Sequence, residues 1–265
     1  MTALLVTALS PLPAESAVVL NSLTMLGKLR SAAESRTGYD RDLFNHWIDA
    51  DRDGCNTREE VLIAEATVKP RPGSGCTITS GRWLSQYDGV SVTSARSLDI
   101  DHMVPLAEAW DSGARFWSSK QRQAYANDLG DARSLIAVTA STNRSKSDQD
   151  PAEWLPARGK CSYASNWIAV KYRWNLSVDN PERAKLKSVL RGCKLLNLKV
   201  TRVTGLPTSG TVAGGGGAAP QPTSSGDVYY ANCDAVRAAG KAPLLRGQPG
   251  YRAGLDRDGD GRACE

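Results

Sequence analysis

The chain has 265 residues, of which 41% are hydrophobic and 23% charged; this suffices for one medium domain plus something smaller and excludes a disordered chain. Its 33 Lys and Arg against 28 Asp and Glu leave a net charge of +5, too mild by itself to diagnose a nucleic-acid partner. Six cysteines without a CxxC pair exclude a zinc ribbon and a thioredoxin-type redox site, and point to disulfides in an oxidising compartment.

Residues 1–17 read as a signal-like segment: an apolar run from Ala3 to Leu9, then Ser-Pro-Leu-Pro-Ala-Glu-Ser-Ala, without a basic n-region. Taken with the cysteines, this favours export. No other stretch is long enough to cross a membrane. Val18 to Ser35 is expected to be a helix, ended before Gly38, and Tyr39 to Ile48 a second one that contains His46. Asp49, Asp51, Asp53, Gly54 and Glu60 then fill the template of an EF-hand calcium loop that leads into a helix over Thr57 to Ala66. A capping box of Thr57 with Glu60 explains Glu60 equally well, and Asn56 stands where such loops carry an apolar pairing residue, so both readings stay open. Trp83, Tyr87 and Val90 to Thr93 suggest strand and turn.

Leu98 to His102 alternates apolar and polar residues with the period of a short strand that Pro105 stops. The chain has only two histidines, and His102, beside a carboxylate at a strand end, is the better candidate to take a proton from water. Leu106 to Gly113 and Gln121 to Leu129 read as helices. Trp110 and Trp117 are candidates for stacking on bases or for the core, and Arg122 for a phosphate or for Asp128. Leu135 to Thr139 reads as a buried strand, and the polar cluster after it leads into a short helix over Asp148 to Trp154.

Asp99-Ile-Asp101-His102-Met-Val-Pro followed by Asn143-Arg-Ser-Lys146-Ser-Asp resembles the HNH, or ββα-metal, nuclease signature. It is most similar to the GmrSD-like HNH endonuclease family and more distantly to the HNH domain of RNA-guided CRISPR effectors. The resemblance implies an α+β fold, a ββα-metal core embellished with helices. It further implies His102 as general base, Asp101 and Asn143 as ligands of Mg2+ (or Mn2+), Lys146 near the phosphate, and products with 5′-phosphates. Asp99 is expected to orient the loop. The middle Asn of many such motifs would fall near Ser134, so that role has no candidate.

Ser165 to Val178 places Trp167, Val170 and Trp174 on one helical face, and Asn180-Pro181-Glu182 opens the next helix. Between Arg158 and Arg202 stand eleven basic and two acidic residues, a stripe suited either to a phosphate backbone or to the solvated face of two helices. Residues 205–226, rich in Gly, Pro and Ser, read as a flexible linker that separates a nuclease domain over 18–204 from a module over 227–265. Over its full length that module is similar to the extracellular calcium-binding module called excalibur. Independently, Asp256, Asp258, Asp260 and Gly261 reproduce positions one, three, five and six of a calcium loop, with Glu265 as the late carboxylate. Of the fifteen possible cysteine pairings, the neighbouring one joins Cys55 with Cys76, Cys161 with Cys193 and Cys233 with Cys264, each within one segment.

The expectation is therefore a secreted, monomeric, metal-dependent endonuclease acting on nucleic acid, DNA first, with Ca2+ in its tail. The alternative is a calcium-dependent extracellular binding or adhesion protein that dispenses with His102. A His-using hydrolase would need a nucleophile motif such as GxSxG, which is absent.

Overall fold

Every sheet among the described residues is a pair of short antiparallel strands. The computed structural model describes residues 16–207, 233–245, 248, 251, 255 and 262–264. The chain divides into two compact units, Met1–Gly214 and Gly215–Glu265. Most of the signal-like segment and of the glycine-rich stretch lies outside the described residues. In the first unit the elements are β1 (Val18–Asn21), α1 (Ser22–Lys28), α2 (Thr57–Glu65), β2 (Ser80–Leu84), β3 (Ser91–Ser94), β4 (Leu98–His102) and α3 (Leu106–Asp111). They continue with α4 (Ser119–Ala126), β5 (Leu135–Thr139), α5 (Ala140–Lys146), α6 (Lys160–Arg173), α7 (Asn180–Arg191) and β6 (Asn197–Val200).

Three local expectations give way to long-range partners. The helix expected over 18–35 is β1 and a short α1, because Val18 and Val19 pair with Val200 and Lys199 of β6, a partner that no local pattern announces. Of the run from Tyr39 to Ile48 only Arg41–Leu43 forms a 3-10 turn, and Trp47 adopts a left-handed backbone at φ 59°. After β5 the polar cluster itself is the helix, α5, while Asp148 to Trp154 is turn; Ser, Thr and Asn favour loops in isolation, so α5 is held by its contacts.

The pair β4 and β5 is central, in the register Leu98↔Thr139, Ile100↔Ala137, His102↔Leu135. One of its faces, with Leu98, Ile100, Leu135 and Ala137, packs with Val61 and Leu62 of α2 and with Trp83 and Val92. Ile136 and Val138, on the other face, join a larger core with Trp167, Trp174, Tyr125 and Phe44, in which each buried large side chain contributes about 1.5–3 kcal/mol. Trp110 and Trp117 lie in that core, 7% and 4% exposed, and so are not platforms for bases. Arg122 is buried as well and donates to the carbonyls of Leu43 and Trp117 rather than to Asp128, whose partners are Arg173, Trp174, Ser134 and the Gly130 amide.

The basic stripe is partly internal. Lys171 is fully buried and donates to Glu108 at 2.7 Å and to Glu182 at 2.6 Å, while Arg173 is locked to Asp128 at 2.8 Å. Lys185, Lys187, Arg191 and Lys194 do face solvent. Disulfides join Cys55 to Cys76 and Cys161 to Cys193 in this unit, and Cys233 to Cys264 in the second. Loop-closure entropy puts the worth of each at about 3–4 kcal/mol. In the second unit α8 (Cys233–Ala238), β7 (Leu244–Leu245) and β8 (Arg262–Ala263) surround a small core of Val236, Leu244, Leu255 and Ala263. Asp256, Asp258, Asp260 and Glu265 lie outside the described residues.

Candidate active site

Residues opposed in an antiparallel register share a face, so Asp99 and Asp101 lie on the side of Val138 and Ile136, the side that α5 crosses. Two positions along a strand span a distance close to one turn of helix, and this match sets the contacts. Asn143 donates to Asp99 Oδ2 at 3.3 Å, and one turn later Lys146 donates to Asp101 Oδ1 at 2.8 Å. The start of α5 is fixed by Asp88, whose Oδ2 accepts from the hydroxyls of Thr139 and Thr142. Although burial works to raise the Asp88 carboxyl, these bonds, with others from Ser85 and the Val90 amide, hold it down to about 2.

Asp101 is 5% exposed, and both its oxygens are engaged, Oδ1 by Lys146 and Oδ2 by the Tyr87 hydroxyl. Burial raises the Asp101 carboxyl and lowers the Lys146 ammonium, each opposed by the charge of the other. Lys146 has no exposed surface; its second bond goes to the His102 carbonyl at 2.9 Å. The expected placement of Lys146 near a phosphate is therefore not what the fold provides, since its ammonium is spent on holding the end of β4.

His102 points to the opposite side of β4 from Asp101. Its ring lies between Trp47, 5.6 Å away at 30°, and Tyr125, 6.3 Å away at 19°. Nε2 lies 2.9 Å from the Ala126 carbonyl. A carbonyl only accepts, so Nε2 carries the proton and Nδ1 keeps the lone pair, and Nδ1 has no hydrogen-bond partner among the described residues. Burial above all, with smaller contributions from Arg41, His46 and Lys146, pushes the imidazole down to about 3 against the Ala126 bond, so the ring is neutral at physiological pH.

A cleft of about 300 Å³ opens here, and Asp101, His102 and Asn143 all line it, together with Arg41, Arg144 and Asp148. Arg41 is exposed, and so is Arg144, 3.7 Å from Asp99. Such cations can receive a phosphate. Local sequence marks neither arginine, nor the Tyr87 hydroxyl, nor Trp47 as part of the site; only spatial proximity does. For an oxygen-preferring divalent cation, the amide of Asn143 and the half-buried carboxylate of Asp99 are the donors with open lone pairs, and Asp101 stands behind them with both oxygens already shared. These are oxygen donors of the kind that Mg2+ takes; Asn143 faces Asp99 through its Nδ2–H, and Asn143 and Asp101 line the cleft.

The acidic loop lies elsewhere in the first unit. Carboxylate oxygens of Asp49, Asp51 and Asp53, all exposed, come within 4.8 Å of one another, and Gly54 takes φ 94°. Asp49 accepts from the amides of Arg52 and Gly54, Asp51 from that of Asp53, and Asp53 from that of Cys55. Burial first, then Asp51, Asp53 and Asp49, raise the Glu60 carboxyl. Thr57 forms no capping box: Asn56 caps α2, and the Thr57 hydroxyl turns to Ile48 and Asn127.

Comparison with known proteins adds matches at the level of sequence. The sequence model of the GmrSD restriction endonucleases, C-terminal domain, matches residues 58–189, and that of the Excalibur calcium-binding domain matches residues 230–265. An uncharacterized secreted protein of Arthroderma benhamiae is 48% identical over 158 residues, which cover 59% of this chain and 76% of the relative. No solved structure matches the chain. No helix among the described residues is long and apolar enough to cross a membrane. The chain thus belongs to the family of that secreted relative, with residues 58–189 matching the C-terminal domain of GmrSD restriction endonucleases and residues 230–265 the Excalibur calcium-binding domain.

Proposed function

We propose that the first unit is a divalent-metal-dependent endonuclease of the HNH type, with β4, β5 and α5 as its ββα core, hydrolysing phosphodiesters of nucleic acid, DNA first. The observation that carries the reading is the fixed tautomer of His102 on a cleft lined by Asp101 and Asn143. A neutral imidazole whose Nε2–H is committed to Ala126 keeps the Nδ1 lone pair for a proton from an attacking water. Its burial makes it a weak base whose strength depends on the charge of the bound phosphate. Arg41 and Arg144 orient the phosphate. Lys146 holds the end of β4 so that Asp101 and His102 keep their places. Asn143 and Asp99, with Asp101, would hold Mg2+, which supplies Lewis-acid stabilisation of the charge that builds on the phosphoryl oxygens.

Supercoiled plasmid, single-stranded DNA and RNA, each incubated with Mg2+ or with EDTA, test this reading. Cleavage that needs Mg2+ and falls by about 10²–10⁴ in His102→Ala is the expected outcome; cleavage unchanged in that variant would refute the base. The Excalibur domain and the converging Asp49, Asp51 and Asp53 favour calcium binding besides, with the tail ligands Asp256, Asp258, Asp260 and Glu265 as proposed.

A further inference from the structure

The imidazole of His102 has one wall from inside the residues that match the GmrSD domain, Tyr125, and one from outside them, Trp47. Trp47 is a bulky residue in the left-handed region at φ 59°, which costs about 1–2 kcal/mol and persists only where the surroundings impose it. What imposes it is visible. The Asn127 side chain is inserted into the turn around Trp47: Nδ2 donates to the Asn45 carbonyl at 2.7 Å, and Oδ1 accepts from the Ile48 amide at 3.1 Å. In a tight turn these two backbone groups would bond each other; here an amide bridges them. Asn127 also donates to the Gln123 carbonyl at 2.8 Å, and its Oδ1 lies 2.9 Å from the Thr57 hydroxyl, whose one proton is shared with the Ile48 carbonyl. Asn127 also directly follows Ala126, whose carbonyl holds His102 Nε2. One residue therefore anchors both the stacking wall and the segment that carries the hydrogen-bond acceptor of the ring.

We propose that Trp47 and Asn127 are positioning residues for His102, so that the segment 45–48, which precedes the family-matched region, completes the catalytic geometry of the cleft. This rests on the reading of His102 as the base. Trp47 touches no substrate in this account; it limits the swing of the ring about its own hydrogen bond, and Asn127 keeps Trp47 in place.

The test uses the full chain. Because the protein has only two histidines, the spectrum of 15N-histidine-labelled protein resolves them, and His102→Ala identifies the ring. Trp47→Leu and Asn127→Ala are expected to speed solvent exchange of the His102 Nε2–H at least tenfold and to lower kcat by about 10–10², the scale for a misplaced catalytic group, with KM within about threefold. Trp47→Phe, which keeps a ring to stack, is expected to restore most of the rate. In the His102→Ala background, Trp47→Leu is expected to add no further loss, since both act through one imidazole. Unchanged exchange in Trp47→Leu, or the same loss of rate with and without His102, would overturn the positioning role while the nuclease reading stands. Full activity of His102→Ala would instead remove the reading of His102 as the base, and a parent chain that cleaves no nucleic acid with Mg2+ would remove the nuclease reading, whatever the exchange data give.

Discussion

The Lys146 ammonium meets the Asp101 carboxylate at 2.8 Å, with no exposed surface on the lysine and 6% on the aspartate side chain. Removing one member of a buried pair strands the other charge, so Lys146→Ala is expected to cost about 3–5 kcal/mol in urea unfolding. A phosphate-contacting lysine behaves differently: its loss would weaken substrate binding and leave stability nearly unchanged. The melt and the KM of one variant separate the two.

Magnesium dependence discriminates among the carboxylates. Asn143→Ala and Asp99→Ala are expected to raise the Mg2+ midpoint of cleavage as well as slow turnover, because theirs are the open oxygen donors on the α5 side of β4. An unshifted midpoint in Asp99→Ala would return that residue to a role in loop geometry. Asp101→Ala is expected to slow cleavage and to destabilise the chain together, since Lys146 loses its partner.

Glu65 gives a pH dependence with a definite sign. Its carboxylate accepts the Ala137 amide at 2.8 Å, yet burial pushes it up to about 7 from an ordinary 4.5. Between those values the folded chain holds a proton that the unfolded chain releases, so stability falls as pH rises from about 4.5 to about 7 and then levels. Glu65→Gln retains an acceptor for Ala137 and removes the penalty. At pH 8 it is expected to be more stable than the parent by up to about 3 kcal/mol, and at pH 4 nearly equal to it, as urea melts at the two pH values would report. Equal melts at pH 8 would mean that Glu65 ionises without cost.

Calcium is expected to bind at two independent places, one in each unit. In calorimetry of the full chain, Asp51→Asn with Asp53→Asn should abolish one class of sites, and Asp258→Asn with Asp260→Asn the other. At a hundredfold excess over its Kd, each ion stabilises the unit it binds by about 2.7 kcal/mol. If the first pair of substitutions changes nothing, the loop around Asp49 is only an exposed acidic turn.

Much of the site was legible because the strand β4 carries its own alternation and because His102 had one competitor, His46, in the whole chain. The convergence of Asp101, His102 and Asn143 on one cleft follows from that pattern and from the motif around Asn143. What stayed hidden depends on distance. Nothing near Asp101 in sequence reveals that Tyr87 and Lys146 close around it, and nothing near Trp47 reveals Asn127. Helix α5 was hidden for another reason: its Ser, Thr and Asn residues prefer loops, and contacts with Asp88, β4 and β5 hold them in a helix. The basic stripe misled because side-chain charge says nothing of burial, and Lys171 balances Glu108 and Glu182 inside the core.

All three disulfides span short separations, 21, 32 and 31 residues, and each closes within a single unit. The only covalent tie between the two units is thus one stretch of main chain. A single proteolytic cut in that stretch would leave no covalent bond between the two units even under oxidising conditions. Gel electrophoresis of a nicked sample without reductant would then resolve two species.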